Sequence, residues 1–303
     1  MDMEKEGMVT VVLLVYKNTS YIQEALQSVY IQDYKNIELI ISDDCSPDIN
    51  RDFFERIRQE AEKRVKSVVL NINDKNMGTV RHLNKLVMMA SGDLICPLAC
   101  DDKFYDERVI TDLVAYAKKS KSYVFTAKRV CVDASSKKEL FIKPTIPEAN
   151  LLEQEPAALF NYMAVYGSFI SGACTYYKKS VFKKYGYFDE SCRLVEDYAY
   201  YLRLLLQNER IAYLDRITIQ YRWGGVSTGK KMNPIVYDDM GTILKTIIYP
   251  NRNMLKNWNK RVVELRYKRR FLKENKLCLY LKYIDIILFW AFQHAMEIVK
   301  GKK

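Results

Sequence analysis

The sequence is poor in the residue types that build most transition-metal and nucleophilic sites. It has only two histidines, His82 and His294, and its seven cysteines are scattered without a Cys-x-x-Cys pair. A zinc site needs several such ligands at short spacing, so the sequence disfavours one. An odd number of scattered cysteines is also unlike a disulfide framework, and we expect reduced thiols. Any active chemistry is therefore expected to rest on carboxylates.

Glycine, proline and long apolar runs are also scarce. The 303 residues include 11 Gly and 7 Pro, and 49% are hydrophobic, which excludes a collagen-like repeat and wholesale disorder. The charged segment 1–7 lacks the apolar core of a signal peptide. The longest apolar run near the C-terminus, 286–292, is far shorter than the roughly 20 residues of a membrane-spanning helix.

Positive charge is concentrated at the C-terminal end. The chain has 48 Lys and Arg against 37 Asp and Glu, a formal net charge of +11. Residues 230–303 hold 17 of the basic and 6 of the acidic residues, so residues 1–229 are neutral as a whole. Long helical patterns also begin after residue 229. We therefore expect a separate basic amphipathic helical tail over 230–303.

Strand-like and helix-like segments alternate through the first hundred residues. A capping box at Ser20–Gln23 is expected to open the first helix. This βαβαβαβ order predicts an α/β fold with a mainly parallel central sheet and flanking helices. Further along, the pattern predicts a loop at 143–156, a helix at 195–207, and two strands near 211–214 and 217–223. The apolar runs of strand length in the first hundred residues occupy residues 9–16, 37–42, 66–72 and 93–98.

Polar clusters follow three of the predicted strands. They are Tyr16-Lys17-Asn18, Asp43-Asp44 and Asp101-Asp102. Ligands of such sheets bind beyond the carboxyl ends of the strands, so we expect these clusters to share a site. Of two adjacent carboxylates, one can ligate a hard divalent ion while the other accepts hydrogen bonds from a ribose. On its own, however, a pair of acids at a turn is more often simply solvated.

Several motifs together resemble those of family-2 glycosyltransferases with the GT-A fold, of the type that builds bacterial surface polysaccharides. The resemblance implies an inverting GT-A catalytic domain over 1–229, with a nucleotide-sugar half at about 1–102 and an acceptor half at about 103–229. The matching segments run in the family's order and are the first strand with Tyr16, Asp43-Asp44-Cys45-Ser46, Asn76-Met77-Gly78, Gly92-Asp93, Ala99-Cys100-Asp101-Asp102, Gly186–Glu190 and Glu196-Asp197.

The resemblance implies roles for the residues after the first strands. Asp44 would accept the N3–H of a uracil-type base, which favours a UDP-type donor, and Tyr16 would pack against the base or ribose. Asp101 would bind the ribose, and Asp102 would hold a Mn²⁺ or Mg²⁺ ion that bridges the diphosphate. Further implied contacts of the nucleotide sugar are Asn76, Gly78 and Arg222.

Glu196 and Asp197 begin the helix predicted at 195–207. In the family an acid here takes the proton of the acceptor hydroxyl, which attacks the anomeric carbon in a single inverting displacement. We expect Asp197 to be this general base, because a helix N-terminus favours a carboxylate. Glu196 would orient it or contact the acceptor. The alternative is that both acids only complement the helix dipole.

One departure from the family pattern concerns positive charge. Gly224 stands where the family often has a histidine, within the segment Tyr221–Ser227. If that histidine would contact the metal or the diphosphate, another group must replace it, and Arg222, Lys230 and Lys231 are the candidates. We expect His82 on a helix surface rather than in a metal site.

Other functions stay open at this point. A sugar nucleotidyltransferase would usually show a Gly-rich loop after the first strand, and none occurs. A non-catalytic nucleotide-sugar-binding module is favoured by Gly224. Nucleic acid is not expected as a partner, because no recognisable nucleic-acid-binding motif accompanies the basic charge.

The tail combines basic residues with aromatic and apolar ones. This composition indicates an anionic membrane surface, and the alternatives are packing on the catalytic domain or on a second copy in a homodimer. On the membrane hypothesis the acceptor is a polyprenyl-diphosphate-linked glycan used for a capsule or O-antigen. The protein would then be cytoplasmic and peripheral on the inner face of the plasma membrane. The aromatic residues are Trp258, Tyr280, Tyr283, Phe289, Trp290 and Phe292.

Overall fold

The computed structural model describes residues 7–47, 49–224, 233–272 and 274–299. Within these residues one sheet is formed by the strands β1 (Val9–Val15), β2 (Ile37–Asp43), β3 (Ser67–Ile72), β4 (Leu94–Ala99), β5 (Lys103–Phe104), β6 (Val124–Asp133), β7 (Glu139–Lys143), β8 (Thr175–Lys178) and β9 (Ile211–Trp223). The α-helices of the same residues are α1 (Ile22–Tyr30), α2 (Arg51–Ala61), α3 (Thr79–Met89), α4 (Val109–Lys119), α5 (Ile146–Leu152), α6 (Pro156–Tyr166), α7 (Ser180–Tyr185), α8 (Glu196–Leu206), α9 (Pro234–Ile243), α10 (Asn257–Phe271), α11 (Lys276–Lys282) and α12 (Ile284–Val299).

The sheet has a parallel half and a mixed half. Its strand order is β3-β2-β1-β4-β8-β6-β9-β5, and β7 pairs with β6. The first four strands are all parallel, which confirms the expected βαβ arrangement. Beyond them, β8 runs antiparallel to β4 and β6, while β9 runs parallel to β6. The predicted α/β fold is confirmed, and its parallel character is strongest in the first half.

Helices cover both faces of the sheet. Val11 and Leu13 of β1 are fully buried in a core with α1, α2 and α4. Val12, between them, is buried in a second core with α3, α6, α8 and α10. Because successive strand side chains point to opposite faces, a strand covered on both sides is apolar at nearly every position.

Three local expectations are wrong. The helix α1 begins at Ile22 without a side-chain cap, because Tyr21 is already close to helical and Ser20 lies one residue too early. The segment predicted as a loop contains α5, which opens with a capping box formed by Thr145 and Glu148. The two strands predicted near 211–223 are one strand, β9, whose pairing with β6 shifts register twice.

The C-terminal helices are part of the fold. Val262, Val263 and Leu265 of α10 lie in the same core as residues of α6 and α8. Removing residues 230–303 would therefore open this core. The junction near 229, and with it Lys230 and Lys231, lies outside the described residues.

The last two helices, α11 and α12, have an inner and an outer apolar face. Leu279, Tyr283 and Ile286 are buried against the core. Other apolar residues of these two helices point outward. We call this exposed set the apolar stripe, and its exposed fractions are 68% for Leu277, 63% for Leu281, 61% for Leu288 and 63% for Phe292. None of the helices in the described part of the chain is long and apolar enough to cross a membrane.

Candidate active site

The strand register brings the acids after β2 and β4 to one edge of the sheet. β1 lies between these strands, with Val15 aligned to Asp43 and Leu14 aligned to Ala99. Neighbouring strands are about 4.8 Å apart, so the two strand ends are separated by only about 10 Å. Asp44 and Asp102 therefore lie on either side of the end of β1.

A polar turn connects the ends of β1 and β2. Ser46 donates its hydroxyl to Asp43 Oδ1 at 2.5 Å and accepts a hydrogen bond from the backbone N–H of Lys17 at 2.7 Å. Lys17 and Cys45 have φ values of 64° and 60°, a backbone conformation that residues other than glycine rarely adopt. Such strain occurs often at functional sites. The ring of Tyr16, beside this turn, is 44% exposed.

Asp44 is buried and completely hydrogen-bonded. Its Oδ1 accepts bonds from Asn73 Nδ2 and the N–H of Met77, each at 2.9 Å. Its Oδ2 accepts bonds from Asn76 Nδ2 at 3.0 Å and from the N–H of Gly78 at 2.9 Å. A carboxylate has about four acceptor positions, so all are taken. Asn76 and Gly78, which were predicted to contact the nucleotide sugar, thus donate hydrogen bonds to Asp44.

Gly78 occupies a position that only glycine fits. Its φ is 77°, and a Cβ there would lie 2.9 Å from the backbone oxygen of Arg193. Arg193 also donates to Asn76 Oδ1 at 2.8 Å. The Asp44 loop is therefore packed against the segment that leads to α8.

Asp102 is buried next to the half-buried Asp101. Its Oδ1 accepts the backbone N–H of Arg222 on β9 at 2.9 Å. Burial, and then the charge of Asp101, raise the pKa of Asp102 to about 8. The guanidinium of Arg222 is itself engaged by protein groups, since it donates to the Asp101 carbonyl oxygen, pairs with Glu24 at 3.3 Å and stacks on Tyr21.

Asp102 suits a hard divalent cation. Its Oδ2 has no hydrogen-bond partner among the described residues, and a cation would favour the ionised form that burial opposes. Among the described residues there is no group of three or more His, Cys, Asp or Glu side chains that could hold a metal ion. The donor set therefore fits an ion that takes one protein carboxylate together with diphosphate oxygens and water.

Glu196 and Asp197 form the first turn of α8, as predicted. Asp197 Oδ2 accepts the N–H of Gly172 at 3.0 Å, and Oδ1 accepts the N–H of Tyr198 at 2.6 Å. Burial raises the pKa of Asp197 above its ordinary value, and these bonds and Arg129 offset only part of that rise. Burial and the charge of Asp197 raise the pKa of Glu196 to about 8. Of the two acids, Glu196 is the one that keeps its proton near neutral pH.

Gly172 and Arg129 belong to the site but have no signal in the sequence. A Cβ on Gly172 would lie 3.1 Å from Glu196 Oε1 and 3.3 Å from Asp197 Oδ2, so the glycine lets the backbone approach both acids. Arg129 on β6 lies close enough to Asp102 and Asp197 to lower the pKa of each. Its buried Nε has no hydrogen-bond partner within the described ranges of the chain. Arg129 thus links the two carboxylate clusters electrostatically.

Two other expectations concern histidine. His82 is buried rather than on the surface, and its Nε2 lies 2.5 Å from the Ser42 hydroxyl. Burial lowers the pKa of His82, so the neutral ring is favoured at this position. Gly224 lies at the end of the described segment, and residues 225–227 of its motif lie outside it.

All seven cysteines are among the described residues and are free, as expected.

Residues 10–186 match the sequence profile described as Glycosyl transferase family 2, which covers more than half of the chain. The chain belongs to this family. The match spans the Asp44 turn and Asp101-Asp102 and ends before Glu196-Asp197.

Curated relatives carry glycosyltransferase names. An uncharacterized glycosyltransferase of Rickettsia typhi is 26% identical over 206 residues, which cover 65% of this chain and 58% of that protein. The poly(ribitol-phosphate) beta-N-acetylglucosaminyltransferase TarS of Staphylococcus aureus is 25% identical over 207 residues, which cover 68% of this chain and 34% of TarS. The chain thus spans between 34% and 58% of the length of these relatives.

Solved structures support the same fold. The crystal structure of S. aureus TarS 1-349 in complex with UDP-GlcNAc has a TM-score of 0.62 to this chain at 17% identity. The likeness covers 90% of this chain and 75% of that one. It confirms the predicted GT-A fold.

Proposed function

We propose that this family-2 glycosyltransferase moves a sugar from a nucleotide sugar, with UDP as the favoured nucleotide, to a hydroxyl of a glycan or lipid-linked glycan. The observation that carries the proposal is the Glu196–Asp197 pair: Asp197 accepts two backbone N–H groups and lies near Arg129, which favour its charged form, whereas burial and the charge of Asp197 raise the pKa of Glu196 to about 8. Such a separation of two neighbouring acids is what acid–base chemistry at neutral pH requires.

Asp197 is the general base in this proposal. Its carboxylate accepts the proton of the acceptor hydroxyl while the hydroxyl oxygen bonds to the anomeric carbon. The bond between that carbon and the diphosphate oxygen breaks in the same step, and its electron pair leaves with the nucleoside diphosphate. The result is a single inverting displacement. Glu196, protonated near neutral pH, adds no second negative charge beside the base.

Charge on the departing diphosphate is balanced from two sides. Asp102 would hold Mn²⁺ or Mg²⁺, which supplies charge neutralisation to a phosphate leaving group when bound. Arg129 adds a positive charge that acts on both Asp102 and Asp197. Because Arg222 is engaged by Glu24 and Tyr21, we favour Arg129 as the group that replaces the family histidine missing at Gly224.

The donor end is assigned to Tyr16, Asp44 and Asp101. The exposed ring of Tyr16 can pack against a base or ribose, and Asp101 can bind the ribose. A uracil N3–H would take the position on Asp44 that the Asn76 amide now holds, since Asn76 is the one of the four partners that binds through a part-exposed side chain.

The acceptor is proposed to be membrane-linked. The apolar stripe lies on a strongly basic part of the chain, the combination that binds anionic membrane surfaces. A cytoplasmic position on the inner face of the plasma membrane and a polyprenyl-diphosphate-linked acceptor fit this arrangement, as does a role in polysaccharide biosynthesis. A second copy of the chain is the other occupant that would cover the stripe.

Thermal-shift screening of UDP-, dTDP- and GDP-sugars with Mn²⁺ or Mg²⁺, followed by assay of nucleoside diphosphate release, tests the proposal. A UDP-sugar should raise the melting temperature and be hydrolysed slowly when water replaces the acceptor. Stabilisation without release, also with added glycan acceptors, would support a nucleotide-sugar-binding module instead. Formation of UTP from the UDP-sugar and pyrophosphate would identify a nucleotidyltransferase.

A further inference from the structure

A cleft of about 480 Å³ lies between α6, α9 and α10, away from the Asp102 cluster. We call it the arginine cleft, because Arg266, Arg269 and Arg270 line it. The remaining lining residues are apolar or tyrosine, with no Asp or Glu among them. Three guanidinium groups around one cavity without an acid make it a site for an anion.

Two of these arginines have no carboxylate partner among the described residues. Arg266 donates to the carbonyl oxygen of Val165, and burial lowers its pKa. Arg269 is exposed and lies 5.8 Å from the ring centroid of Tyr280. The nearest acid to Arg270 is Asp238, at 3.9 Å, whose side chain is 81% exposed. Within the described part of the chain, the charge of the cleft is therefore offset only by this exposed carboxylate.

Two residues of α9, Tyr237 and Gly241, fix the position of the Arg270 guanidinium. A Cβ on Gly241 would collide with the guanidinium of Arg270, so glycine makes room for it. The guanidinium also lies 3.9 Å from the ring centroid of Tyr237 and donates to the Tyr237 carbonyl oxygen at 2.7 Å. A glycine, a ring and a carbonyl group together hold the charge at the cleft.

The cleft and the catalytic acids share two elements. Tyr198, which follows Asp197 in α8, lines the cleft and donates its hydroxyl to the Met163 carbonyl oxygen at 2.7 Å. Gly167, at the end of α6, lines it as well, and the same segment leads to Gly172 beside Asp197. A molecule in the cleft therefore lies next to the turn that carries the base.

We propose that the arginine cleft binds a phosphate or diphosphate group of the acceptor. Guanidinium groups bind phosphate through paired hydrogen bonds, and three of them match its charge. Tyr166 and Tyr237, which are 60% and 53% exposed, offer ring faces to the adjoining sugar. The inference rests on the proposed function, because it assigns the acceptor of that transfer. The phosphate can come from a lipid-linked diphosphate or from a phosphodiester in a polymer.

Calorimetry with inorganic pyrophosphate, at fixed ionic strength and with UDP and Mn²⁺ saturating the donor site, tests the proposal. Arg266→Gln and Arg270→Gln should each weaken binding about tenfold or more, since each removes a charged hydrogen bond. Gly241→Ala should weaken it by displacing Arg270 while leaving the charge in place. The matched control is Arg261→Gln, which removes a charge from α10 that is paired with Asp285 outside the cleft.

Equal pyrophosphate affinity in all four variants would overturn the proposal, as would the absence of binding to the unaltered protein. Melting temperatures establish that each variant is folded. Farnesyl diphosphate binding more tightly than pyrophosphate would assign the lipid-linked source, and dimethyl phosphate binding lost in the same variants would assign the phosphodiester. Pyrophosphate affinity does not depend on sugar transfer, so failure of the proposed function would show separately, as absence of nucleoside diphosphate release.

Discussion

Asp102 makes the stability of the protein depend on pH. Its pKa is about 8 in the folded chain, far above the ordinary value of 3.8. Between these values the folded chain keeps a proton that the unfolded chain releases. Because the folded state then binds more protons, the free energy of unfolding falls as pH rises through this range.

Asp102→Asn should therefore raise the melting temperature of the ligand-free protein. The amide oxygen can still accept the Arg222 N–H, while the cost of ionising a buried group is removed. The gain in melting temperature should grow from pH 5 to pH 8. Each kcal/mol of added unfolding free energy corresponds to about 2–4 °C. Differential scanning fluorimetry at several pH values measures it, and a gain that is the same at every pH would refute this origin.

Arg129 should set the pH at which transfer begins. Since Arg129 lowers the pKa of Asp197, Arg129→Gln should raise that pKa and move the acidic limb of the kcat/KM profile to higher pH. Arg129→Lys, which retains a charge, should move it less. A merely structural role would lower activity without displacing the limb, so an unmoved limb in Arg129→Gln contradicts the assignment.

Gly78 and Gly167 allow backbone strain to be separated from steric contact. Both have φ near 80°, but a Cβ on Gly167 would meet nothing within 4 Å, whereas one on Gly78 would contact Arg193. Gly167→Ala should lower stability by about 1 kcal/mol, and Gly78→Ala by clearly more, with weaker UDP binding. Urea unfolding and UDP titration measure both. Equal losses of stability would mean that the Arg193 contact has no energetic weight.

At the scale of single residues, the sequence predicts the acids of the site better than the residues that contact those acids. Asp102 and Asp197 are recognisable because each follows a strand or opens a helix in a motif of fixed order. Arg129 and Gly172 lie in β6 and before β8, and only the pairing of distant strands brings them to the acids. The full hydrogen bonding of Asp44 is equally invisible in the sequence, because it depends on the path of residues 73–78.

At the scale of elements, the sequence predicts an apolar face on α11 and α12 but not whether this face meets the core or the solvent. The spacing predicts an apolar face, and the structure turns that face outward while Leu279, Tyr283 and Ile286 pack inward. Both faces are apolar, so periodicity alone cannot say which one meets the core. The short strands β5 and β7 have no counterpart among the predicted strands, since a few residues carry little pattern.

The apolar stripe should be required for membrane binding. The double change Leu281→Glu and Leu288→Glu should abolish flotation with phosphatidylglycerol vesicles, because it places charge on exposed apolar positions without entering the core. The control is Ile146→Glu on α5, which is 79% exposed and should float normally. If the stripe variant floats as well as the control, the membrane assignment fails, and a change of dimer to monomer would assign the stripe to a second copy.

At the scale of the whole molecule, two cores on either side of one sheet connect the site to the tail. The parallel half was predictable because β1 to β4 alternate with helices and are apolar at nearly every position. Packing of the tail on the catalytic domain was only one of the open alternatives, because charge and composition do not distinguish it from a membrane surface or a second copy. Val262, Val263 and Leu265 complete the core that positions α8. Charge composition does not report packing.

The most direct test compares the two neighbouring acids of α8. Asp197→Asn should lower kcat for sugar transfer by about 10²–10⁴-fold with little change in UDP affinity, because it removes the base but not the donor contacts. Glu196→Gln should retain most activity near neutral pH, since Glu196 keeps its proton there. Transfer rates and UDP titrations of both variants decide the matter. Transfer that survives Asp197→Asn at the unaltered rate would contradict the account.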